Sequence, residues 1–514
     1  MSYFVGVDVG TSIVKSVLFD ETGSELRVFS ESNTVHYPQP GWAECDMDEV
    51  WMAASTTLAR IISFASDSGY AVDGIGITGQ GDGTWLVTKA GEPAGPAIIW
   101  LDGRSGEDLA KLQEKRTDRA VFDITGTMLN TSHQGMQLRW LRAHAPETLS
   151  LASVALRAKD WIFFCLTGEL RTDYTDASHS YFDLNTGTYS EALLDLLEIS
   201  EFRHLLPEAL PCYRNSAPIR SDRASEFGIV KDTPVFCGPL DVAASALGVG
   251  AVKPGDACSI LGTAGIHQFV TDSAIREPAH IGYTMHHAPP DTWIRFLPTM
   301  TGTLNLEWFL STIFAPLSSR DEESWGRIER TVAKQPIGAN GVRYHPFIDS
   351  AGERAPFVKP SARAQFTGLS ATTSAADLLR AVFEGVALSA ADCYDHLSRE
   401  IKTVRLTGGG ARSPSWAQII ADAIGASVEI VGGNETGARG AAINVMVGLG
   451  VYPDFQSACK AVLRVERSYA PDMERAYPAY RELLNLYRRT YEAMFPIWDQ
   501  NYTVTQRLSG GQQS

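Results

Sequence analysis

Val5-Gly6-Val7-Asp8-Val9-Gly10-Thr11-Ser12-Ile13-Val14-Lys15-Ser16-Val17-Leu18-Phe19 reads as two strands joined by a tight turn. Val5, Val7 and Val9 alternate with Gly6, Asp8 and Gly10, so one strand face is apolar and the other is small or acidic. A second β-rich run begins directly after Gly10-Thr11-Ser12. Small residues in the turn let backbone N–H groups approach an anion, Thr11 and Ser12 add hydroxyl donors, Lys15 adds charge, and Asp8 can hold a hydrated Mg2+ beside them. The stretch carries what a phosphate-gripping hairpin needs. An ordinary hairpin with a solvated lysine fits the same residues, so the rest of the chain has to decide.

The design recurs at Asp256 to Val270, where Ser259-Ile260-Leu261 leads through Gly262-Thr263-Ala264-Gly265 into a second β-rich run. Two such hairpins suggest two related halves facing each other across a cleft, each offering a phosphate-holding turn. Further on, Met300 to Trp308 includes Gly302 and Asn305, and a charged segment near Ser319 to Thr331 reads as mobile. Gly352-Glu353-Arg354-Ala355-Pro356 makes a polar loop, and a long helix follows from Ser374 to His396. The strand Val404 to Thr407 then enters Gly408-Gly409-Gly410, with Ser413 able to cap a helix whose first position is Pro414. Glycines there let a flat adenine or its ribose lie on the backbone, although a plain tight turn accounts for them equally. Gly437-Ala438-Arg439-Gly440 opens a small-residue helix, and amphipathic helices end the chain.

Between the two hairpins lies a second group of polar residues. A helix starts near Asp46, followed by the strand Val72 to Thr78. Gly74-Ile75-Gly76-Ile77-Thr78-Gly79 satisfies G-x-G-x-x-G, but Gln80-Gly81-Asp82-Gly83 and another β-like run follow where a dinucleotide fold requires a helix, so that reading is rejected. Gln80, Asp82, Asp102 and Arg104 sit at strand ends, where amide, carboxylate and guanidinium groups can hydrogen-bond a polyhydroxylated ligand and Trp100 can cover its C–H face. Solvated loop polars are the simpler alternative. Gly106 to Glu208 reads as a helical insertion. Thr233 to Cys237 is a short strand broken by Gly238-Pro239, after which Asp241 opens a small-residue helix. Asp241 can be a helix N-cap, or a proton acceptor whose ionised form the helix terminus favours.

The whole composition bounds these readings. With 514 residues, 44% hydrophobic and 20% charged, the chain is an ordinary globular protein of two large domains. A formal charge of -16 argues against a nucleic-acid or anionic-membrane surface. No apolar run reaches a membrane span and no basic leader precedes an apolar segment, so a cytoplasmic protein is expected. Seven scattered cysteines without C-x-x-C spacing read as buried small apolar residues, not as a disulfide or zinc framework. Disorder is confined to the tail from Ser509.

On these residues the sequence resembles the FGGY family of carbohydrate kinases, built on the duplicated actin-like ATPase fold. The resemblance rests on the opening D-x-G-T-S-x-x-K, Gln39 to Glu44, the Gly79-Gln80 corner, Trp100 to Arg104, Gly238 to Ala243, Ser259 to Gly265, Gly352 to Pro356, Glu384 to Val386, and Gly408 to Ser413. It implies an α/β fold of two actin-like (ribonuclease H-like) ATPase domains with a central cleft. Residues 1–245 would form the sugar-binding domain with the first phosphate turn and the insertion at about 106–208, residues 246–505 the nucleotide-binding domain, and 506–514 a tail. It further implies Asp241 as catalytic base and Asp8 beside Mg2+. Gly10, Thr11, Ser12 and Lys15 would form the first phosphate turn and Thr263 the second, with Gly302 and Asn305 beside the nucleotide and Gly409, Gly410 and Ser413 at the adenosine. Substrate contacts fall to Gln80, Asp82, Asp102, Ser132 and Asp241.

Three departures bear on the substrate. Gly81-Asp82 stands where glycerol kinases resemble one another with Arg-Glu and xylulose kinases with Met-His, Ser132 stands where glycerol kinases carry a tyrosine, and apolar Val242 follows Asp241. The pattern looks most like the erythritol-kinase branch, with D-xylulose, L-xylulose or another pentulose or pentitol as alternatives. The expected activity is in-line transfer of the ATP γ-phosphoryl group to a primary hydroxyl of a small polyol or ketose, with ATP and Mg2+ as cofactors. The expected partners are that small substrate, no nucleic acid and no membrane, and a homodimer is allowed. A chaperone-like ATPase and a non-catalytic sugar sensor share the fold, but no peptide-binding β domain and no basic DNA-binding module is visible.

Overall fold

The computed structural model describes residues 1–314, 322–397 and 400–510, the side chains of 509 and 510 excepted. Within them the chain forms two compact units: Met1–Pro254 with Val270–Arg295 and Gly433–Arg464, and Gly255–Phe269 with Phe296–Gly432 and Val465–Ser514.

The first unit is built on a six-stranded sheet whose order is Ser216–Pro218, Pro234–Cys237, Val72–Gly79, Tyr3–Val9, Ile13–Asp20 and Glu25–Ser32. The opening hairpin is antiparallel, with Asp8 opposite Lys15, and its first strand runs parallel to Val72–Gly79 with Asp8 opposite Thr78. Alternation assigns the two faces as read from the sequence. Val5, Val7, Val9, Ile75 and Ile77 are fully buried in a core with Val50, Leu58 and Ile61 of the helix Met47–Asp67, which Asp46 caps by accepting two backbone N–H groups. The opposite face carries Phe4, in a second core with Ala438 and Ala442, and glycines between its larger side chains. A methyl group added to Gly6 would lie 2.0 Å from the Ala438 carbonyl oxygen, and one on Gly76 would lie 2.4 Å from that of Ala441. Both oxygens belong to the helix Thr436–Gly448. That helix also meets Asp241–Gly248 at small residues, because a Cβ on Gly440 would come within 1.9 Å of the Ala244 carbonyl oxygen.

The G-x-G of Gly74 to Gly76 thus serves helix packing, and a bend with the strand Trp85–Thr88 follows it. The insertion is not purely helical: Ala152–Leu156 pairs antiparallel with Trp85–Thr88, and Arg171–Asp173 pairs with Glu208–Leu210. Amphipathic patterning of its helices hid these short strands.

The second unit repeats the plan. Ala257–Leu261 and Gly265–Thr271 form an antiparallel hairpin, and Ala257–Leu261 runs parallel to Thr403–Thr407, which runs parallel to Ser427–Val431. The strand Val465–Tyr469 closes that edge antiparallel, late β structure that the sequence reading assigned to helix. Ser374, read from the sequence as the start of the long helix, is the cap of Ala375–His396. The charged segment from Ser319 falls outside the described residues up to 321, and continues as the helix Glu322–Lys334. Of the tail, 511–514 lies outside the described residues. All seven cysteines are free and buried, and among the described residues no helix is long and apolar enough to cross a membrane.

Since the Ala438 oxygen cannot retreat as a flexible side chain would, Gly6→Ala is expected to cost about 3 kcal/mol or more of stability, the overpacking range. Gly106→Ala, at a position with nothing within 4 Å of the new methyl, is expected to melt like the wild type. Thermal unfolding followed by circular dichroism measures both, and an unchanged midpoint for Gly6→Ala would refute the packing argument.

Candidate active site

Each unit gathers one set of the residues picked out in the sequence. In the first unit the end of the strand Val72–Gly79 is tied to the bend before Asp241. Thr78 Oγ1 donates to the Pro239 carbonyl at 2.6 Å, and the Gly238 N–H donates to the Ile77 carbonyl at 2.9 Å. No Cβ fits at Gly238, where it would stand 2.4 Å from the Ile77 oxygen. The Leu240 N–H donates to Thr175 Oγ1 at 2.8 Å. Asp241 therefore begins its helix with the preceding residues held on two sides. It is the first helical residue and Leu240 is the cap, so the capping role considered for Asp241 is not the one it plays. Its Oδ1 instead accepts the Val242 N–H at 2.7 Å.

Thr175 is itself held by a buried ionic group that the sequence reading missed. Lys159 Nζ lies 2.6, 2.9 and 3.1 Å from carboxylate oxygens of Asp160, Asp173 and Asp176. Asp173 caps the helix Tyr174–Ser180, accepting the Thr175 N–H at 2.8 Å. A lysine beside an aspartate in a helical run carries no spacing signal. Only the fold brings the other two acids to it.

Asp8 is half-buried, and a Cβ on Gly437 would lie 2.6 Å from its Oδ2. Burial pushes its carboxyl up to about 6, with Lys15 opposing the rise and Glu435 adding to it. Burial, then Asp8, push Asp241 up to about 8, while the Val242 N–H pulls it down. Two acids that repel each other in a desolvated place call for a cation. Among the described residues no group of three or more His, Cys, Asp or Glu could hold a metal ion. Lys15 is half-buried and paired with Glu435 at 2.7 Å. Glu435 escaped the sequence reading although it stands just before the small-residue helix.

The turn and the sugar-binding candidates are linked. Thr11 Oγ1 donates to Gln80 Oε1 at 3.0 Å and accepts the Trp100 indole N–H at 2.8 Å, while Ser12 is exposed. Gln80 is buried and its Nε2 has no partner in the protein. Asp102 is bonded differently from the others. Its oxygens accept the Ala43 N–H and the Arg104 guanidinium, and Arg104 lies flat on Trp42 with 4.0 Å to the ring centre. Asp82 is met by His179 and by Ser132, whose Oγ is 3.1 Å away. Burial pushes the Asp82 carboxyl up, but His179, Arg157 and His133 outweigh it and hold it well below the usual carboxylate range.

The second unit gathers the remaining set. The Gly302 N–H donates to the Thr263 carbonyl at 2.6 Å and the Thr303 N–H to the Gly262 carbonyl at 2.8 Å. Gly408 approaches from the other side, in the left-handed region at φ 85°, where a Cβ would be 2.7 Å from the Leu261 oxygen. Thr263, Gly302, Gly409 and Gly410 thus meet around one turn, with Thr263 and Gly409 exposed. Asn305 is buried behind it, its amide spent on Thr301, Gly302 and Tyr344. Ser413 caps the helix Pro414–Ile424 and bonds Glu329.

Comparison with known proteins agrees with this architecture. The N-terminal domain of the FGGY family of carbohydrate kinases matches residues 3–248 and its C-terminal domain residues 242–449. The chain belongs to the FGGY family of carbohydrate kinases, enzymes that transfer a phosphoryl group. It is 34% identical to the erythritol kinase of Brucella abortus (strain 2308), over 96% of this chain and 97% of that one. It is 31% identical to the L-xylulose/3-keto-L-gulonate kinase of Escherichia coli (strain K12), over 96% and 97%. The solved xylulose kinase of Rhodospirillum rubrum superposes with a TM-score of 0.87 at 27% identity, covering 97% of this chain and 100% of that one.

The raised Asp241 carboxyl has a consequence for stability. In the unfolded chain it titrates near 3.8, in the folded protein near 8. Between those values the folded state binds the extra proton, so Asp241 lowers stability progressively as pH rises from about 4 to about 8. Asp241→Asn removes that loss. Its gain in melting temperature over the wild type is expected near zero at about pH 4 and largest near pH 8. A gain that does not grow with pH would count against the assignment.

Proposed function

We propose that the chain transfers the γ-phosphoryl group of ATP to a primary hydroxyl of a small sugar alcohol or ketose, an erythritol-like polyol in the first instance and D- or L-xylulose next. The observation that carries the reading is Asp241, a carboxylate held at a helix start, half-buried, with its proton affinity raised by burial and Asp8. Burial and Asp8 disfavour its ionised form, and a cation held beside Asp8 would favour it, freeing an oxygen to take the hydroxyl proton.

In this reading the acceptor is held in the first unit by Asp82, Ser132 and the free amide N–H groups of Gln80, with Asp102 supporting the loop. Asp241 accepts the hydroxyl proton as the acceptor oxygen bonds to the γ-phosphorus, and ADP leaves with the electron pair of the broken P–O bond. Gly10, Thr11, Ser12 and Lys15 meet phosphate oxygens, Lys15 exchanging Glu435 for them. In the second unit Thr263 meets phosphate, Gly302 and Gly409–Gly410 receive the nucleoside, and Asn305 and Ser413 hold that turn in shape. Asp8 would hold Mg2+ together with phosphate and water, and the ion would supply neutralising charge. A kinase fed by ATP is expected in the cytoplasm.

Asp241→Asn is expected to lower turnover by about 10²–10⁴-fold, the contribution of a placed base, while ATP affinity stays within a few fold. A coupled ADP assay over C3 to C6 polyols and ketoses measures it, and near-normal turnover would sink the proposal. Gly409→Val places its side chain where nothing stands within 4 Å of the Cβ. The fold should survive while the KM for ATP rises about tenfold or more, a lost close approach costing upwards of 1.4 kcal/mol. An unchanged KM for ATP would remove Gly409 from the nucleotide site.

A further inference from the structure

Four segments of the first unit converge on Asp82. Asp82 itself sits in the left-handed region at φ 54°, a conformation that costs a non-glycine residue energy and is kept where the surroundings impose it. His179, from the helix Tyr174–Ser180, sets its Nε2 3.3 Å from Asp82 Oδ1. Its ring lies against that of Tyr283 at 5.1 Å, and Asn130 Nδ2 donates to the Tyr283 hydroxyl at 3.0 Å. Ser132 comes from the loop that Asn130 opens.

The proton count on this group is informative. Ser132 Oγ lies 2.6 Å from Asn130 Oδ1 and 3.1 Å from Asp82 Oδ2, but a serine hydroxyl has one proton. Two acceptors 2.6 Å apart without a proton between them would repel, so the shorter contact takes it. Asp82 Oδ2 is then left facing a lone pair, an ionised oxygen in need of a donor. His179 Nε2 faces the other oxygen, and His179 and Arg157 favour the ionised form of Asp82 against its burial. The side chains of His179 and Asp82 are 6% and 15% exposed. Asp82 also acts electrostatically on Asp241, so the group lies within the field of the proposed base.

We propose that His179 is a positioning residue that sets acceptor specificity: it pins one oxygen of Asp82 and leaves the other to accept a hydroxyl of an uncharged polyol or ketose, so that acceptors bearing a carboxylate at that end are rejected. This rests on the kinase reading and names its substrate class. A neutral hydroxyl supplies the donor that Asp82 lacks, whereas a carboxylate brings a like charge against a fixed anion with no proton between them, the repulsive element on which discrimination depends.

The test uses the full chain, with acceptor binding by calorimetry without ATP and ADP release in a coupled assay, for erythritol, D-xylulose, L-xylulose and gluconate. The wild type is expected to bind at least one neutral acceptor and to leave gluconate unbound. His179→Leu should raise the KM and Kd of that acceptor about tenfold or more, as loss of a charge-assisted contact does, with kcat within about threefold. His179→Gln, which restores an N–H donor, should recover most of the loss, and a merely structural histidine would show no such recovery. Should His179→Leu not fold, Asp82→Asn keeps the shape of the pair while removing its charge and must show the same KM loss. Unchanged KM in these variants, gluconate bound as tightly as the neutral acceptors, or no neutral acceptor bound would each overturn the proposal. A wild type that binds a neutral acceptor, loses it in His179→Leu, yet releases no ADP keeps this inference and overturns the kinase reading alone.

Discussion

The first unit depends on one close contact, the helix Thr436–Gly448 lying directly on the glycines of one sheet face. Gly6 and Gly76 leave no room for a Cβ above the Ala438 and Ala441 carbonyls, and Gly440 does the same against Ala244. Backbone-to-backbone approach at these distances fixes two helices, Thr436–Gly448 and Asp241–Gly248, against a single pair of strands. Their N-terminal ends bring Glu435 and Gly437 to Asp8 and Lys15, and set Asp241 within the field of Asp8. Were those strands lined with valine on both faces, the helix would stand farther off and the acids would not share a desolvated space. Arg439, buried, extends the same contact by donating from Nε to the Gly248 carbonyl at 2.8 Å.

Much of this was legible in the chain because short-range rules govern it. Alternation gave the hairpin and its faces, Asp46 and Ser374 marked helix starts, Ser413 was recognisable as a cap, and the failure of a helix to follow Gly74 to Gly79 excluded a dinucleotide site. In the second unit Gly302 and Gly410 allow close approach to the hairpin, whereas Gly409 has open space around it. What escaped is what long-range packing decides. The glycines of the first sheet answer to a helix more than three hundred residues later, so their purpose has no local sign. Lys159, His179 and Glu435 are single charged or titratable residues inside otherwise ordinary segments, and only three-dimensional neighbours give them a role.

Asp102 and Asp82 show the same limit from the other side. Both are acids at strand ends close to aromatic or polar residues, and composition alone treats them alike. The structure separates them by their partners. Asp102 has its oxygens taken by a backbone N–H and a guanidinium that is itself pressed between Glu44 and Trp42. Asp82 faces His179 with one oxygen and Ser132 with the other, and the Ser132 hydroxyl is shared with Asn130. A carboxylate with its acceptor capacity filled supports a loop, whereas one with capacity left over, held ionised by its neighbours, is suited to a ligand.

The same accounting explains why the site tolerates a cost in stability. Asp8 is driven toward its protonated form by burial and Glu435, Asp241 by burial and Asp8, and Lys15, the cation at hand, is already shared with Glu435. A fold optimised for stability alone would replace one acid with an amide of the same shape. Keeping both leaves the protein a poor host for these charges. The buried Lys159 group carries a similar cost, since three acids share one lysine: burial, and after it Asp176, push the carboxyls of Asp160 and Asp173 up while Lys159 pulls them down. It holds Thr175, and through it the Leu240 backbone, so the residue before Asp241 is fixed by a buried ionic group.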